Sequence, residues 1–184
     1  MGCANSQLWV ATDPTWKVKA AGCMFVDASQ ILVGLHTPHK RSEVRVCGLG
    51  GKTEPGESWY TTAIRETVEE LFHISTVPTS LIDALACIHP IRVIYQESEG
   101  YVCIVYNLGD LPRFLKICRR FLHSPLYNSF PRTVEDLLRR RKIDPKAEIM
   151  QLILWPRCVP NRRFRISNDL MDDLNCVREI FAHT

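Results

Sequence analysis

Six residues at fixed spacing carry the chemistry that this sequence can offer: Gly51, Glu57, the pair Arg65-Glu66 and the pair Glu69-Glu70. Pro55-Gly56 is a turn signal, and Ser58 after it predicts a helix N-cap, with the helix running to about Phe72 or His73. At about 100° per residue, Tyr60, Ile64, Thr67, Val68 and Leu71 fall on one side of that helix. Glu66, Glu69 and Glu70 fall on the other, with His73 beside them. Carboxylates at this spacing are neighbours and repel by a few tenths of a kcal/mol per pair. A cation among them removes the penalty. Hard oxygen ligands suit Mg²⁺ or Mn²⁺, and such an ion can polarise a diphosphate, offset its charge and activate water. The competing reading is a solvated acidic helix face, the commoner fate of charge runs.

The surrounding chain reads as strands that present this helix. Lys17 to Val26 and Gln30 to His36 are apolar runs separated by Asp27-Ala-Ser, a hairpin pattern. Thr37 to Ser42 reads as a polar loop, and Val44 to Cys47 as a short strand running into the glycine-rich 48–51. Leu81 to Tyr95 reads as one long strand or two short ones broken at Pro90. Glu97 to Gly100 is a turn leading into a strand from Tyr101 to Leu108. Helical pieces are expected at Leu111–Leu122 and Thr133–Lys142, and a last strand at Ala147–Trp155. After a loop from Pro156 to Arg165, Ser167 caps a helix with Leu170, Leu174, Val177, Ile180 and Phe181 on its apolar face. Strands with interspersed helices predict an α/β/α sandwich around a mixed sheet, one domain over 1–184 with an irregular 1–15.

At 184 residues, 46% hydrophobic and 23% charged, the chain can bury its own core as an ordinary globular protein. The eight cysteines are scattered without a Cys-x-x-Cys, several inside apolar runs, which predicts reduced thiols in a cytoplasmic or nuclear setting. His36 and His39 are the only close histidine pair and lack a second ligand pair, so a zinc site is not expected and a surface loop is. No apolar run approaches the ~18 residues of a membrane span. Met1-Gly2-Cys3-Ala4-Asn5-Ser6 fits the acylation pattern at Gly2 and Cys3, a short pattern that also recurs by chance.

Charge is segregated along the chain. Between Leu111 and Lys142 stand nine basic residues, Arg113, Lys116, Arg119, Arg120, Arg132, Arg139, Arg140, Arg141 and Lys142, against Glu135 and Asp136. That excess of +7 within a chain of net +3 leaves −4 for the remainder. With Phe114, Phe121, Tyr127 and Phe130 interleaved, the segment suits a polyanion and a stacked base. The alternative is a pair of amphipathic helices with solvated basic faces.

Gly51, Glu57, Arg65, Glu66, Glu69 and Glu70 together resemble the Nudix box: Gly, five residues, Glu, seven residues, then Arg-Glu-x-x-Glu-Glu. Six fixed matches arise by chance on the order of 10⁻⁶ to 10⁻⁵ of the time at one in twenty per position. The resemblance implies a Nudix-type α/β/α sandwich, here with a basic helical insertion at 111–146. It also implies a metal-dependent hydrolase of a diphosphate linkage. Glu69 and Glu70 would be the main Mg²⁺ or Mn²⁺ ligands, Glu66 a ligand or general base, and Gly51 a carbonyl ligand. Arg65 and Glu57 would fix the loop against the helix, with Glu57 near the metal. The family often adds a carboxylate from outside the box, for which Glu97, Glu99, Asp110 and Glu148 are open. Two departures stand out: Phe72 fills the usual final glycine and Thr67 a usual aliphatic position, so the helix is expected to run on or exit differently. His73 either meets substrate or ends the helix.

Substrate choice falls to the insertion. Capped RNA is the favoured substrate, contacted by Arg113, Lys116, Arg119, Arg120, Arg139, Arg140, Arg141 and Lys142. A small nucleotide or a diphosphoinositol polyphosphate is the alternative, and DNA is not predicted. A non-catalytic Nudix-fold binding module is the rival of another class, disfavoured by the intact carboxylates. Oligomeric state has no signature in the sequence.

Overall fold

A computed structural model describes residues 17–36, 44–157 and 165–167, together with Leu170 and Leu174. Among the described residues the strands form one eight-stranded mixed sheet. Strands β1 (Ala20–Val26) and β2 (Gln30–His36) form the expected hairpin. Asp27 closes it: its Oδ1 accepts from the Ser29 and Gln30 amides at 2.7 and 2.9 Å. After β3 (Arg45–Cys47), the glycine-rich stretch into which it runs, given no strand by the sequence reading, is itself strand β4 (Leu49–Lys52), antiparallel to the first half of β1. Glycine is depleted in strands, so propensity hid it. Its Cα positions nevertheless let β4 lie close to Gly22 of β1, where a Cβ on Gly50 would overlap backbone.

The helix α1 (Trp59–Phe72) begins as the sequence predicts, with Ser58 Oγ accepting from the Thr61 amide at 3.1 Å. Its apolar side lies on the sheet, and Thr67 explains its departure from an aliphatic: Oγ1 accepts from the Cys23 amide at 3.1 Å inside the core. Residues 79–85 overturn the expected strand. They form helix α2 (Thr79–Leu85), burying Leu81, Ile82 and Leu85. That spacing of one and four is helical, and the apolar run was too short for periodicity to decide between the two. Strand pairing starts later, with β5 (Arg92–Gln96) and β6 (Tyr101–Asn107) joined across the 97–100 turn. β6 runs parallel to β1, with Ala20 opposite Tyr101 and Val26 opposite Asn107.

Helices α3 (Leu111–Cys118) and α4 (Val134–Arg139) lie within the basic segment, before β7 (Gln151–Pro156) and β8 (Arg165–Ile166). Successive strand residues point to opposite faces. Cys23, Phe25, Leu32, Val102, Ile104 and Tyr106 face a core shared with α1, α2 and α3. Met24, Val26, Ile31, Val33, Cys103, Val105 and Trp155 face the other core, which Leu170 and Leu174 enter. The rest of the predicted C-terminal helix, the 37–42 loop apart from its flanks, residues 1–15 and the acylation pattern lie outside the described residues. No described helix is long and apolar enough to cross a membrane.

The basic segment is built into this core. Phe114 and Tyr127 are buried, so neither offers a face to a base, which corrects the stacking expectation. Phe72 is fully buried against the same segment, with ring centroids 4.6 Å from Phe130 and 6.3 Å from Tyr127. Ser124 Oγ donates to the Phe72 carbonyl at 2.6 Å. Helix α1 ends at Phe72, within the bounds read from the spacing, and does not run on; its exit is displaced to the next residue, His73, which takes the left-handed conformation at φ 50°. A non-glycine residue there costs about 1 kcal/mol or more, which the burial of Phe72 outweighs. Phe72→Gly, which restores the usual box residue, is accordingly expected to lower unfolding free energy by at least about 3 kcal/mol. Urea unfolding checks this, and an unchanged midpoint would show that the socket contributes nothing.

Candidate functional site

Strand β4 and helix α1 place the box residues against each other. A Cβ built at Gly51 would overlap the Glu66 carboxyl group, so the strand comes this close only because position 51 is glycine. The turn between them uses Gly56 at φ 86°. Glu57 lies beside Arg65: Nε donates to Oε1 at 2.7 Å and Nη2 to Oε2 at 2.9 Å. Glu57 Oε2 also accepts from the Glu54 amide and the Thr62 hydroxyl. Arg65 Nη1 donates to Glu66 Oε1 at 2.9 Å and Glu69 Oε2 at 3.0 Å, and Nη2 to the Lys52 carbonyl at 2.9 Å. One planar guanidinium thus binds three glutamates and the end of β4.

The carboxylates titrate differently because their surroundings differ. Hydrogen bonds from Arg65 hold Glu57 below the usual range. Burial raises Glu66 and Glu69, against the lowering pull of Arg65. Glu70 is pushed well above the usual range by burial and then by the Glu148 charge, with the Gly50 amide (2.8 Å from its Oε2) and Arg141 acting in the opposite sense. Glu148 also raises Glu66. Of the four carboxylates left open outside the box, Glu148 and Glu99 line one cavity of about 380 Å³ with Glu70, Gly50 and Gly51. Asp110 sits beyond the opposite, Asn107 end of β6, and Glu97 does not line the cavity.

Sequence reasoning missed the rest of the cavity wall. His36, taken for a surface loop residue, ends β2 and lines the cavity with Cys47, Lys52, Tyr101, Ile149 and Ser167. These residues are scattered in sequence and meet only through strand pairing. A larger cavity of about 790 Å³, lined by Lys17, Lys19, Glu54 and Trp59, reaches Glu57 but none of Glu66, Glu69 or Glu70. The carboxylates, rather than volume, locate the chemistry. His73 ends the helix with Nε2 3.7 Å from Asp144.

The basic residues divide into three groups. Arg139 and Arg140 form exposed ion pairs with Glu135 (2.8 Å) and Asp136 (3.0 Å), each worth about 0.3–0.5 kcal/mol. Arg113, Lys116, Arg119, Arg120, Arg132 and Lys142 are exposed. Arg141 corrects the substrate-contact expectation. Its Nη1 donates to the Leu71 carbonyl at 2.5 Å, and Nη2 to the Glu70 and Ile149 carbonyls at 3.0 and 2.7 Å. It clasps the C-terminal end of α1, where carbonyls lack helical partners, to the segment carrying Glu148.

The carboxylates of Glu66, Glu69, Glu70 and Glu148 and the main-chain carbonyls of β4 are hard-oxygen donors, and they outnumber the softer His36 and Cys47 that line the cavity. Among the described residues no group of three His, Cys, Asp or Glu side chains converges as a ligand set, and Arg65 bonds Glu66 and Glu69 instead. The donor chemistry fits Mg²⁺ or Mn²⁺, since buried Glu70 and its acidic neighbours form a cluster that a dication would neutralise.

No protein-family model matches the chain, and no curated protein matches it in sequence. Among solved structures it is similar to the E. coli ORF135 protein, at 15% identity over 92% of this chain and 94% of that one, TM-score 0.43. It is also similar to a NUDIX family hydrolase from Clostridium perfringens, at 15% identity over 90% and 96%, TM-score 0.39. A third is a bifunctional NMN adenylyltransferase/ADP ribose pyrophosphatase from Francisella tularensis complexed with AMP and a Mn ion. That match has 13% identity over 94% of this chain but 44% of the other, TM-score 0.43. Identity and superposition are low, so the chemistry rests on this chain's own residues.

Two outcomes follow from the geometry. In metal-free protein, burial keeps a proton on Glu70 at a pH where the unfolded carboxyl, near 4.5, has lost it. The folded state then binds more protons, so stability falls as pH rises from about 4.5 toward the folded-state value. Glu70→Gln, which keeps an acceptor for the Gly50 amide, should flatten that slope and raise stability at neutral pH; urea unfolding across the range reads it, and an unchanged slope refutes it. Arg141→Ala should cost about 2 kcal/mol or more, since it strands three carbonyls, with Arg141→Lys recovering part; equal midpoints for all three proteins would dismiss the clasp.

Proposed function

We propose that the chain is a catalytic member of the Nudix hydrolases, cleaving the diphosphate linkage of a nucleoside diphosphate derivative with Mg²⁺ or Mn²⁺. The observation that carries this reading is the joint placement of Gly51, Glu57, Arg65, Glu66, Glu69 and Glu70, with Glu70 buried beside Glu148 at a cavity. Glu69 and Glu70 would hold the metal with Glu66, Glu148 and the Gly51 carbonyl, Glu57 lying next to them. Bound there, the ion supplies charge neutralisation of the diphosphate and acidification of water. Arg65 orients Glu66 through Oε1, which leaves Oε2 to accept a proton from the attacking water. Burial favours that acceptance by raising Glu66. Glu57 acts through Arg65 as a positioning residue.

The favoured substrate is capped RNA, supported by the exposed cations Arg113, Lys116, Arg119 and Arg120. The second reading is a small nucleotide derivative. Burial of Phe114 and Tyr127 favours it by removing two stacking surfaces, and a cavity of about 380 Å³ matches a small ligand. A substrate panel with each metal separates them: capped RNA, nucleotide sugars, dinucleotides and diphosphoinositols. Chelation should abolish turnover, and Glu69→Gln or Glu70→Gln should lower it about 10²-fold or more, the loss of several kcal/mol of charge stabilisation. Undiminished turnover in those variants would sink the catalytic assignment, and no turnover on any substrate would leave a binding module.

A further inference from the structure

We infer that Lys116, Arg119 and Arg132 form a second anion site, outside the carboxylate cavity, that takes two or more closely spaced phosphate groups. Lys116 and Arg119 stand three residues apart on α3 and its end, on one helical face. Arg132 approaches from the residue before the Thr133 cap of α4. The three line one cavity of about 350 Å³ whose remaining wall is Pro112 and Pro131. That space equals roughly a dozen liquid waters, room for more than one phosphate.

What sets these three cations apart is that they share one concavity in which nothing neutralises them. Arg139 and Arg140 are paired, and Arg141 is spent on carbonyls. Among the described residues Lys116, Arg119 and Arg132 have no ion pair, and no acid lines their cavity. The acids nearest in sequence, Glu135 and Asp136, are committed: Glu135 to Arg139, and Asp136 through Oδ1 to Arg140 and through Oδ2 to the Arg132 amide. Three like charges around a concavity repel until an anion enters, and two guanidinium planes suit phosphate oxygens. The proline walls fix backbone torsions and bring no carboxylate to compete for the cations. No aromatic side chain lines this cavity, so recognition here runs through charge and is indifferent to base sequence.

The phosphates can come from the backbone of single-stranded RNA or from a free oligophosphate, and the test distinguishes them. Anisotropy of a labelled, uncapped RNA oligonucleotide is measured with chelator present, and competed with inorganic tripolyphosphate. Binding is read without turnover, so a failed hydrolase assignment leaves the result intact. Three backbone contacts imply a slope of log affinity on log salt of about −2, or roughly 15-fold weakening for a fourfold rise in salt. The variant Lys116→Gln/Arg119→Gln/Arg132→Gln should weaken binding at least about tenfold and flatten that slope. Each single substitution should weaken it severalfold, and Arg139→Gln/Arg140→Gln should leave it within twofold. Displacement of RNA by tripolyphosphate assigns a general oligophosphate site, and RNA binding without displacement assigns a backbone site. Equal binding by wild type and the triple variant, or no binding of either probe at about 50 mM salt, overturns the inference.

Discussion

The molecule is organised around a cost: the carboxylates of Glu57, Glu66, Glu69 and Glu70 are gathered between one helix and one strand. Two like charges about 4 Å apart repel by roughly 4 kcal/mol at the effective dielectric of a protein surface. Arg65 answers most of that repulsion by reaching Glu57, Glu66 and Glu69 at once. It cannot serve Glu70, which instead faces the Gly50 amide and whose pKa burial raises well above the usual range. The close fit of β4 then follows, because the Gly51 position must come within contact of Glu66 for the same guanidinium to bond the Lys52 carbonyl.

Much of this was legible in the chain, for identifiable reasons. The α1 boundaries, the β1–β2 hairpin and the facing of Glu66, Glu69 and Glu70 follow from local rules of capping, turn chemistry and helical period. β4 was not legible, because its glycines serve tertiary approach and read locally as loop. α2 was lost because a short apolar run fits either period, and only its packing under the sheet selects helix. His36, Tyr101 and Ser167 reach the cavity from three separate strands or strand ends, information held in pairing register alone. Glu148 could be nominated among four carboxylates but not chosen, for the same reason.

The basic segment shows how little a charge count says about individual residues. Phe114 and Tyr127 are buried in the core, Tyr127 and Phe130 receive Phe72, one arginine completes the end of α1, and two more are balanced by acids one helical turn away. The unusual residues at the end of the box and the unusual segment 111–146 are thus one feature. Phe72 departs from glycine because the segment supplies a socket for it, and His73 takes the strained backbone that the glycine would have relieved.

The clasp has a bearing on how the chain reaches its final state. Arg141 meets the carbonyls of Leu71 and Glu70 across 70 and 71 positions, and Ser124 meets Phe72 across 52. Closing loops of that length spends chain entropy before any contact rewards it. During synthesis, the helix bearing the carboxylates is complete in sequence long before its far end can be tied down. Its N-terminal turn, with Ser58 and the Glu57–Arg65 pair, is local and can form early. Glu70, at the other end, acquires its surroundings only after residues 141–149 have left the ribosome, so a nascent chain holds a helix without a finished site.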